Sequence, residues 1–356
     1  MNQMFKKISY LPKKAKGTRF LLPSNRREFK YSNSKYTNYG LIGLGQMGFN
    51  MAKNLRSNLS ASDSLYIFDV NHEPMNRFIR ETKDFKNGPI VYQAINVSEA
   101  ADNSKVIITV LPDSPPVKEV YQQIFSKQPL YHSNNSNNKG KPQNRLFIDC
   151  STIDPITSKE IAQLAQQREE GKSYYVDAPI SGGVIAAMQS SLTFMLGCPD
   201  NLVSQITPIL QKMGGKQVIH CGPQSLGLVG KLANNYLLAI SNIATAEAMR
   251  LGMKWGLDAG LLSHLINQST GRCWPSAVNN PVKGVVAHAP ASRDYVGGFS
   301  LGLMKKDLSL AIISAKEVGI QLELAERARE VYEDADTFEN CKGRDFSVIY
   351  RYLEIR

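Results

Sequence analysis

The sequence predicts an α/β N-terminal domain with a doubly wound sheet, followed by an all-α C-terminal domain built around a long central helix. Three observations carry this expectation. Short apolar β-type runs alternate with helical stretches from residue 39 onward; those runs stop near residue 222; and residues 225–255 then read as one helix, apolar on several faces. At 356 residues the chain exceeds what one hydrophobic core usually serves. Two domains are therefore expected, at 39–222 and 223–356, behind an N-terminal segment at 1–38.

The first strand is Tyr39-Gly40-Leu41-Ile42, with a helix over about 47–59 after it. Ser64-Leu65-Tyr66-Ile67-Phe68, Val106-Ile107-Ile108-Thr109-Val110, Leu146-Phe147-Ile148 and Tyr174-Tyr175-Val176 continue the series. Such uninterrupted apolar runs suit parallel strands buried on both faces. Residues 131–144 are polar and low in complexity, which predicts a disordered surface insertion. A helix over 225–255 is longer than a small domain needs, and its apolar faces place it inside a larger helical body. Further helices are expected at 258–268, 303–318 and 321–334, with the active site in the cleft between the domains.

The net charge of +11 is unevenly placed. Residues 1–38 hold ten Lys or Arg and one acid, Glu28, giving +9; the remainder carries 32 − 30 = +2. A near-neutral body does not fit a nucleic-acid-binding protein. The segment itself is basic, acid-poor and dotted with Ser, Phe, Leu and Tyr, and reads as a mitochondrial presequence, with a nucleic-acid-binding arm or a plain tail as competing readings. No apolar stretch is long enough to span a bilayer. Five scattered cysteines without Cys-x-x-Cys, and five histidines without ligand spacing, point to reduced thiols and no metal site.

The sharpest motif is Gly43-Leu44-Gly45-Gln46-Met47-Gly48, a Gly-x-Gly-x-x-Gly that follows a strand and opens a helix. Gly43 allows the tight turn, Gly45 lets backbone approach a pyrophosphate, and Gly48 lets the helix pack on the strand. Asp69 lies 21 residues beyond Gly48 at the end of the second strand, where an acid accepts hydrogen bonds from the adenosine ribose. No Lys or Arg follows in Val70-Asn71-His72-Glu73, so the Rossmann-type domain is expected to take NAD rather than NADP. Leu111-Pro112-Asp113 ends another strand on the ligand-binding edge, and Pro112 stiffens that loop.

Three segments could hold a second ligand. Ser181, Gly182 and Gly183 follow a strand, and their backbone N–H groups and hydroxyl can converge on a carboxylate. An ordinary glycine-rich turn is the plainer reading. Lys231 and Asn235 share one face of the long helix, with Asn234 on an adjoining part of its surface. Polar groups in so apolar a helix need partners, although a lysine alone could snorkel to the surface. Gly227 and Gly230 suit close approach of a ligand or another backbone. The segment from Phe299 to Leu308 offers a further lysine, Lys306.

Together these segments resemble the 3-hydroxyisobutyrate dehydrogenases, within the wider β-hydroxyacid dehydrogenase family. The resemblance covers residues 39–356 and includes Ser151-Thr152-Ile153-Asp154-Pro155, Ala244-Thr245-Ala246-Glu247-Ala248-Met249 and Ser269-Thr270-Gly271-Arg272-Cys273-Trp274. It implies reversible NAD-dependent oxidation of 3-hydroxyisobutyrate to methylmalonate semialdehyde, a step of valine catabolism in the mitochondrial matrix. It also implies a homodimer or homotetramer acting on a small β-hydroxyacid. Carried over, Lys231 is the catalytic lysine and Asn235 its partner. Ser181, Gly182 and Gly183 hold the substrate carboxylate, with Asn234 and Trp274 also facing substrate. Leu111, Pro112, Thr152 and Lys306 match cofactor-contacting positions. Pro116, Cys150, Ile180 and Ser190-Ser191 depart from the family pattern without removing a catalytic group. Another short β-hydroxyacid or semialdehyde as substrate, and a silent cofactor-binding scaffold, are the alternatives.

Overall fold

The structure is a computed structural model that describes residues 37–85, 87–126, 144–168, 171 and 173–356. The expected presequence, apart from Thr37 and Asn38, and the expected insertion at 131–144, apart from Asn144, lie outside the described residues.

The first half alternates strand and helix: β1 (Asn38–Ile42), α1 (Gln46–Asn58), β2 (Ser64–Phe68), α2 (His72–Thr82), β3 (Ile90–Gln93), α3 (Val97–Asp102), β4 (Val106–Thr109), α4 (Ser114–Ser126), β5 (Leu146–Asp149), α5 (Pro155–Arg168) and β6 (Tyr174–Asp177). There follow β7 (Ile180–Ser181), α6 (Gly183–Met188), β8 (Leu192–Gly197), α7 (Val203–Lys212) and β9 (Gly215–Gly222). The strands form one sheet in the order β3-β2-β1-β4-β5-β6-β8, with β7 and β9 also paired to β8. From β3 to β6 every pairing is parallel. The order reverses between β1 and β4, so their carboxyl ends open a crevice where ligands of such sheets bind.

β4 and β5 are buried throughout, as their unbroken apolar runs require. β2 instead alternates, and its half-buried Tyr66 stacks on Tyr92 of β3 with ring centroids 4.8 Å apart. β3 was not expected from the sequence, because a four-residue, mostly exposed edge strand carries little apolar signal. β7 and β9 are unexpected for a related reason, whereas β8 carries the apolar run Phe194-Met195-Leu196. β8 runs antiparallel to β6 and β7, and β9 is an edge with few buried residues.

The rest is helical: α8 (Leu226–Lys254), α9 (Ala259–Gln268), α10 (Trp274–Ala277), α11 (Leu301–Glu317), α12 (Ala325–Thr337) and α13 (Ile349–Ile355), with short 3-10 turns between some of them. No helix among the described residues is long and apolar enough to cross a membrane. α8 spans 29 residues, about 43 Å at 1.5 Å per residue. Its first turn belongs to the sheet: it meets β8 and β9, and Leu228 is part of the buried cluster that includes Ile42, Ile107, Tyr121 and Phe147. Its later turns belong to the helical core, where Ala246 and Met249 pack with Met304, Leu308, Tyr332, Phe346 and Ile349. One rigid element is thus held in both cores, and a residue between its two anchorages stands beside both.

Candidate active site

The turn from β1 to α1 is shaped by steric exclusion. Gly43 has φ +99°, and a Cβ there would lie 2.2 Å from the Val110 carbonyl oxygen. At Gly48 a Cβ would lie 2.0 Å from the Gly43 carbonyl oxygen, so this glycine fits α1 against the turn itself and Val110, more closely than against the strand. Gly45 differs: a Cβ there would meet nothing within 4 Å. It begins α1 without a side-chain cap, and Gly45 and Gln46 are exposed while Leu44 is buried and Met47 partly so. Backbone N–H groups at the helix start are therefore open to an approaching diphosphate, so the residues present fit a dinucleotide. Asp69, just past β2, accepts hydrogen bonds from the Leu44 N–H at 2.6 Å and the Asn71 N–H at 2.8 Å.

The loops after β4 and β5 are joined, since the Leu111 N–H donates to Ser151 Oγ at 2.8 Å. Lys306, on α11, reaches both loops. Its Nζ donates to the Thr152 carbonyl at 2.6 Å and to the Pro112 carbonyl at 3.1 Å. Pro116 falls in the first turn of α4, where a missing N–H removes no helical hydrogen bond.

Beside this strap lies Lys231. It is 6% exposed, which removes the snorkelling alternative. Burial pushes its ammonium below the usual lysine range; Asp307 opposes this and Lys306 adds to it. Its Nζ stands 5.9 Å from the centre of the Phe299 ring. One turn along α8, Asn235 donates through Nδ2 to Asp307 Oδ2 at 2.6 Å. Asp307 Oδ1 lies 3.4 Å from Lys306 Nζ. Asn234 is exposed and donates to Asn235 Oδ1 at 3.0 Å, so it orients the amide from outside. Lys231, Asn235, Asp307, Lys306, Thr152 and Pro112 thus form one contiguous polar assembly.

The Ser181–Gly183 turn is tied to the same helix through Asp177 at the end of β6. This fully buried carboxylate accepts from the Ser225 N–H and, at 2.8 Å, from the Leu228 N–H. It thereby caps α8 one turn before Lys231. Burial raises it to about 7, against those two hydrogen bonds. Gly227 is explained by backbone rather than ligand, because a Cβ there would lie 2.1 Å from the Met195 carbonyl oxygen. Gly182 and Gly183 both have positive φ, at 128° and 67°, and Gly183 has open space where a side chain would be.

A family model described as the NAD binding domain of 6-phosphogluconate dehydrogenase matches residues 38–222. Another, described as NAD-binding of NADP-dependent 3-hydroxyisobutyrate dehydrogenase, matches residues 226–353. The chain is 38% identical to a probable mitochondrial 3-hydroxyisobutyrate dehydrogenase of Arabidopsis thaliana, over 90% of this chain and 89% of that one. Identity to the corresponding protein of Dictyostelium discoideum is 39%, over 94% and 95%. The chain belongs to the 3-hydroxyisobutyrate dehydrogenase family. Its fold agrees with a solved 3-hydroxyisobutyrate dehydrogenase from Mycobacterium tuberculosis with L-serine, at a TM-score of 0.76 and 31% identity, covering 89% of this chain and 99% of that one. With the family come the enzyme class and cofactor: this chain is an NAD-dependent oxidoreductase.

Against that family background, Ser181, Gly182 and Gly183 make no hydrogen bond to the assembly, and Trp274 lies still further off. Trp274 begins α10 and is 51% exposed. Its neighbour Cys273 contacts Thr245 Oγ1, and Thr245 lies fourteen residues, about 21 Å of helix, beyond Lys231. Within one chain, Trp274 lines a different part of the helical region. Conversely, sequence reasoning passed over Asp307 and Phe299, although both lie in a quoted segment. Asp307 was detectable: it interrupts the buried apolar series Leu301, Met304, Leu308 and Ala311, and an acid on such a face requires partners.

Proposed function

We propose that this chain oxidises 3-hydroxyisobutyrate to methylmalonate semialdehyde with NAD, a step of valine catabolism, with Lys231 as general acid/base. The observation that carries this reading is a buried lysine beside an amide fixed by a buried carboxylate, on the helix whose start is capped next to a glycine-rich turn. Bound NAD supplies the hydride acceptor. Gly43, Leu44, Gly45, Gln46, Met47, Gly48 and Asp69 would hold its adenosine and diphosphate end, and Leu111, Pro112, Thr152 and Lys306 its other end. Ser181, Gly182 and Gly183 would take the substrate carboxylate. Lys231, neutral more readily because it is buried, removes the hydroxyl proton during oxidation and returns it in reverse. The Asn235 amide has a second N–H beyond its bond to Asp307, available to a substrate oxygen.

Asp69 supports NAD over NADP, although the description of one matching family model mentions NADP. The test is a set of initial rates for oxidation of 3-hydroxyisobutyrate, 3-hydroxypropionate, L-serine and glycerate, each with NAD and NADP. The expected result is highest kcat/KM for 3-hydroxyisobutyrate with NAD, with Asp69→Ala narrowing the NAD preference by about tenfold or more, the value of one charge-assisted hydrogen bond. Higher kcat/KM for another hydroxyacid would replace the substrate.

The exposed apolar positions Leu237, Ala244, Leu251 and Trp255 recur along α8, and Leu261 and Leu265 are exposed on α9. This surface supports a homodimer or homotetramer, as such patches mark interfaces. Leu251→Glu is expected to lower the mass measured by light scattering, and an unchanged mass would move the interface elsewhere. Residues 1–38 support import into the mitochondrial matrix, since curated relatives are named mitochondrial. A reporter carrying this segment that stays cytosolic would reject that.

A further inference from the structure

We propose that Asp345 is a positioning residue for the reaction: it fixes the backbone of Phe299 so that the aromatic ring stays against Lys231. This goes beyond the catalytic lysine and rests on it.

Asp345 is 1% exposed and lies in the chain just before the 3-10 turn Phe346–Val348, far in sequence from Lys231. Its two carboxylate oxygens have different tasks. Oδ1 accepts from Asn279 Nδ2 at 3.0 Å, the Ser347 N–H at 3.0 Å and Ser347 Oγ at 2.6 Å. Oδ2 accepts from the Phe299 N–H at 2.8 Å. The Phe299 carbonyl in turn accepts from the Phe346 N–H at 2.8 Å, and the two rings meet edge to face at 6.0 Å. The Asp345 N–H closes the arrangement on the Tyr295 carbonyl at 2.8 Å.

The loop leading to Phe299 is bonded internally, as from the Tyr295 N–H to the Pro290 carbonyl and from Arg293 Nε to the Val296 carbonyl, yet its backbone is strained. Asp294, Tyr295, Gly297 and Gly298 all have φ between +57° and +77°. For the non-glycine residues that conformation costs on the order of 1 kcal/mol or more each and persists only when surroundings impose it. Arg344 and Arg351 hold the Asp294 carboxylate. Gly298 leaves the room Asp345 needs, since a Cβ there would lie 2.1 Å from Oδ2. The strained loop, the clamp and the ring contact converge on one result: an apolar surface is held beside Lys231 Nζ, keeping water from it. The charged side chains facing Lys231 among the described residues are Asp307 and Lys306 of α11, neither of which touches Asp345.

The uneven use of the two oxygens gives a clean test. In Asp345→Asn the amide oxygen is drawn to the three donors on the Oδ1 side. The amide nitrogen then faces the Phe299 N–H, donor against donor, and only the Phe299 tie is lost. Lys231 is read directly in the full enzyme by NMR of [ε-13C]lysine, assigned with Lys231→Arg. Asp345→Asn is expected to raise the Lys231 midpoint by about half a unit to one unit, as water reaches the amine. Phe299→Ala, which takes the covering side chain away, should do the same, and the double variant no more than either. Ser347→Ala weakens the other side of the carboxylate and is expected to lower Tm while leaving the midpoint in place. If Asp345→Asn folds poorly, Asp345→Ser, whose single short hydroxyl cannot serve both sides, carries the same expectation.

A midpoint unchanged in Asp345→Asn or Asp345→Ser, or moved as far by Ser347→Ala, overturns the proposal. The pH profile of kcat/KM for oxidation separates it from the reading beneath it. If the Lys231 midpoint rises and the rate profile stays fixed, the clamp stands and Lys231 is not the base.

Discussion

The glycine-rich turn and the Lys231 centre are built by opposite means. The turn is made of backbone, with decisive contacts between residues 43 and 110, and it works by leaving side chains out. The Lys231 centre is made of side chains brought from distant stretches, with Asn235 and Asp307 separated by 72 residues and Lys306 and Thr152 by 154. It works by excluding water. A site defined by absent atoms fails when an atom is added, whereas a site defined by burial fails when a partner is removed.

The largest effect is expected at the buried amine. Lys231→Met fills similar space and leaves Asp307 bonded to Asn235 and Lys306, so Tm should hold while kcat/KM falls by about 10²–10⁴-fold, the usual share of a general acid/base. Near-normal turnover in a folded variant would end the assignment.

The two ends of the turn should respond differently. Gly43→Ala forces a Cβ to 2.2 Å from a carbonyl oxygen at φ +99°, and is expected to destabilise the free protein by about 1–3 kcal/mol. Gly45→Ala meets nothing, so urea unfolding without cofactor should change by under about 0.5 kcal/mol while the KM for NAD rises several-fold. Equal destabilisation by both would show that the opening at Gly45 is not reserved for a ligand.

A further effect concerns Asp177, which ties the end of β6 to the start of α8. Its folded value of about 7 lies above the usual carboxylate value near 4. A group raised in the folded state contributes stability below its unfolded value and loses it as pH rises through the folded one. Between about pH 4 and 7 this residue should therefore make stability fall with rising pH. Asp177→Asn, measured by thermal unfolding across that range, should flatten the slope even though it weakens one helix-capping hydrogen bond.

This contrast also explains what could be read in the sequence. The β1–α1 turn was legible because its chemistry is local: glycine spacing states where side chains cannot be, and Asp69 follows within one strand and turn. Lys231 and Asn235 were legible as polar residues four apart in an apolar helix. What covers them was not. Phe299 resembles any aromatic core residue until its ring is seen 5.9 Å from an amine. Asp345 resembles any acid before a short helix, because nothing in a one-dimensional pattern pairs it with residues 279 and 299. Strands β7 and β9 escaped for another reason: each buries few residues, so the apolar run that marks a central strand is missing, whereas β8 carries Phe194-Met195-Leu196, a run as long as that of β5.

Asp69 carries a consequence for cofactor choice. Both of its oxygens already hold backbone N–H groups, from Leu44 on one side and Asn71 on the other. A carboxylate on a free side chain can swing away from an incoming phosphate and relieve the repulsion. One pinned through both oxygens cannot turn without breaking the hydrogen bonds that shape the β1–α1 turn, where we propose that the cofactor sits. Selectivity at this position is then a matter of stiffness as much as of charge. Loosening the anchorage, for example by Asn71→Pro, should let more of the phosphorylated dinucleotide in even with the acid still present.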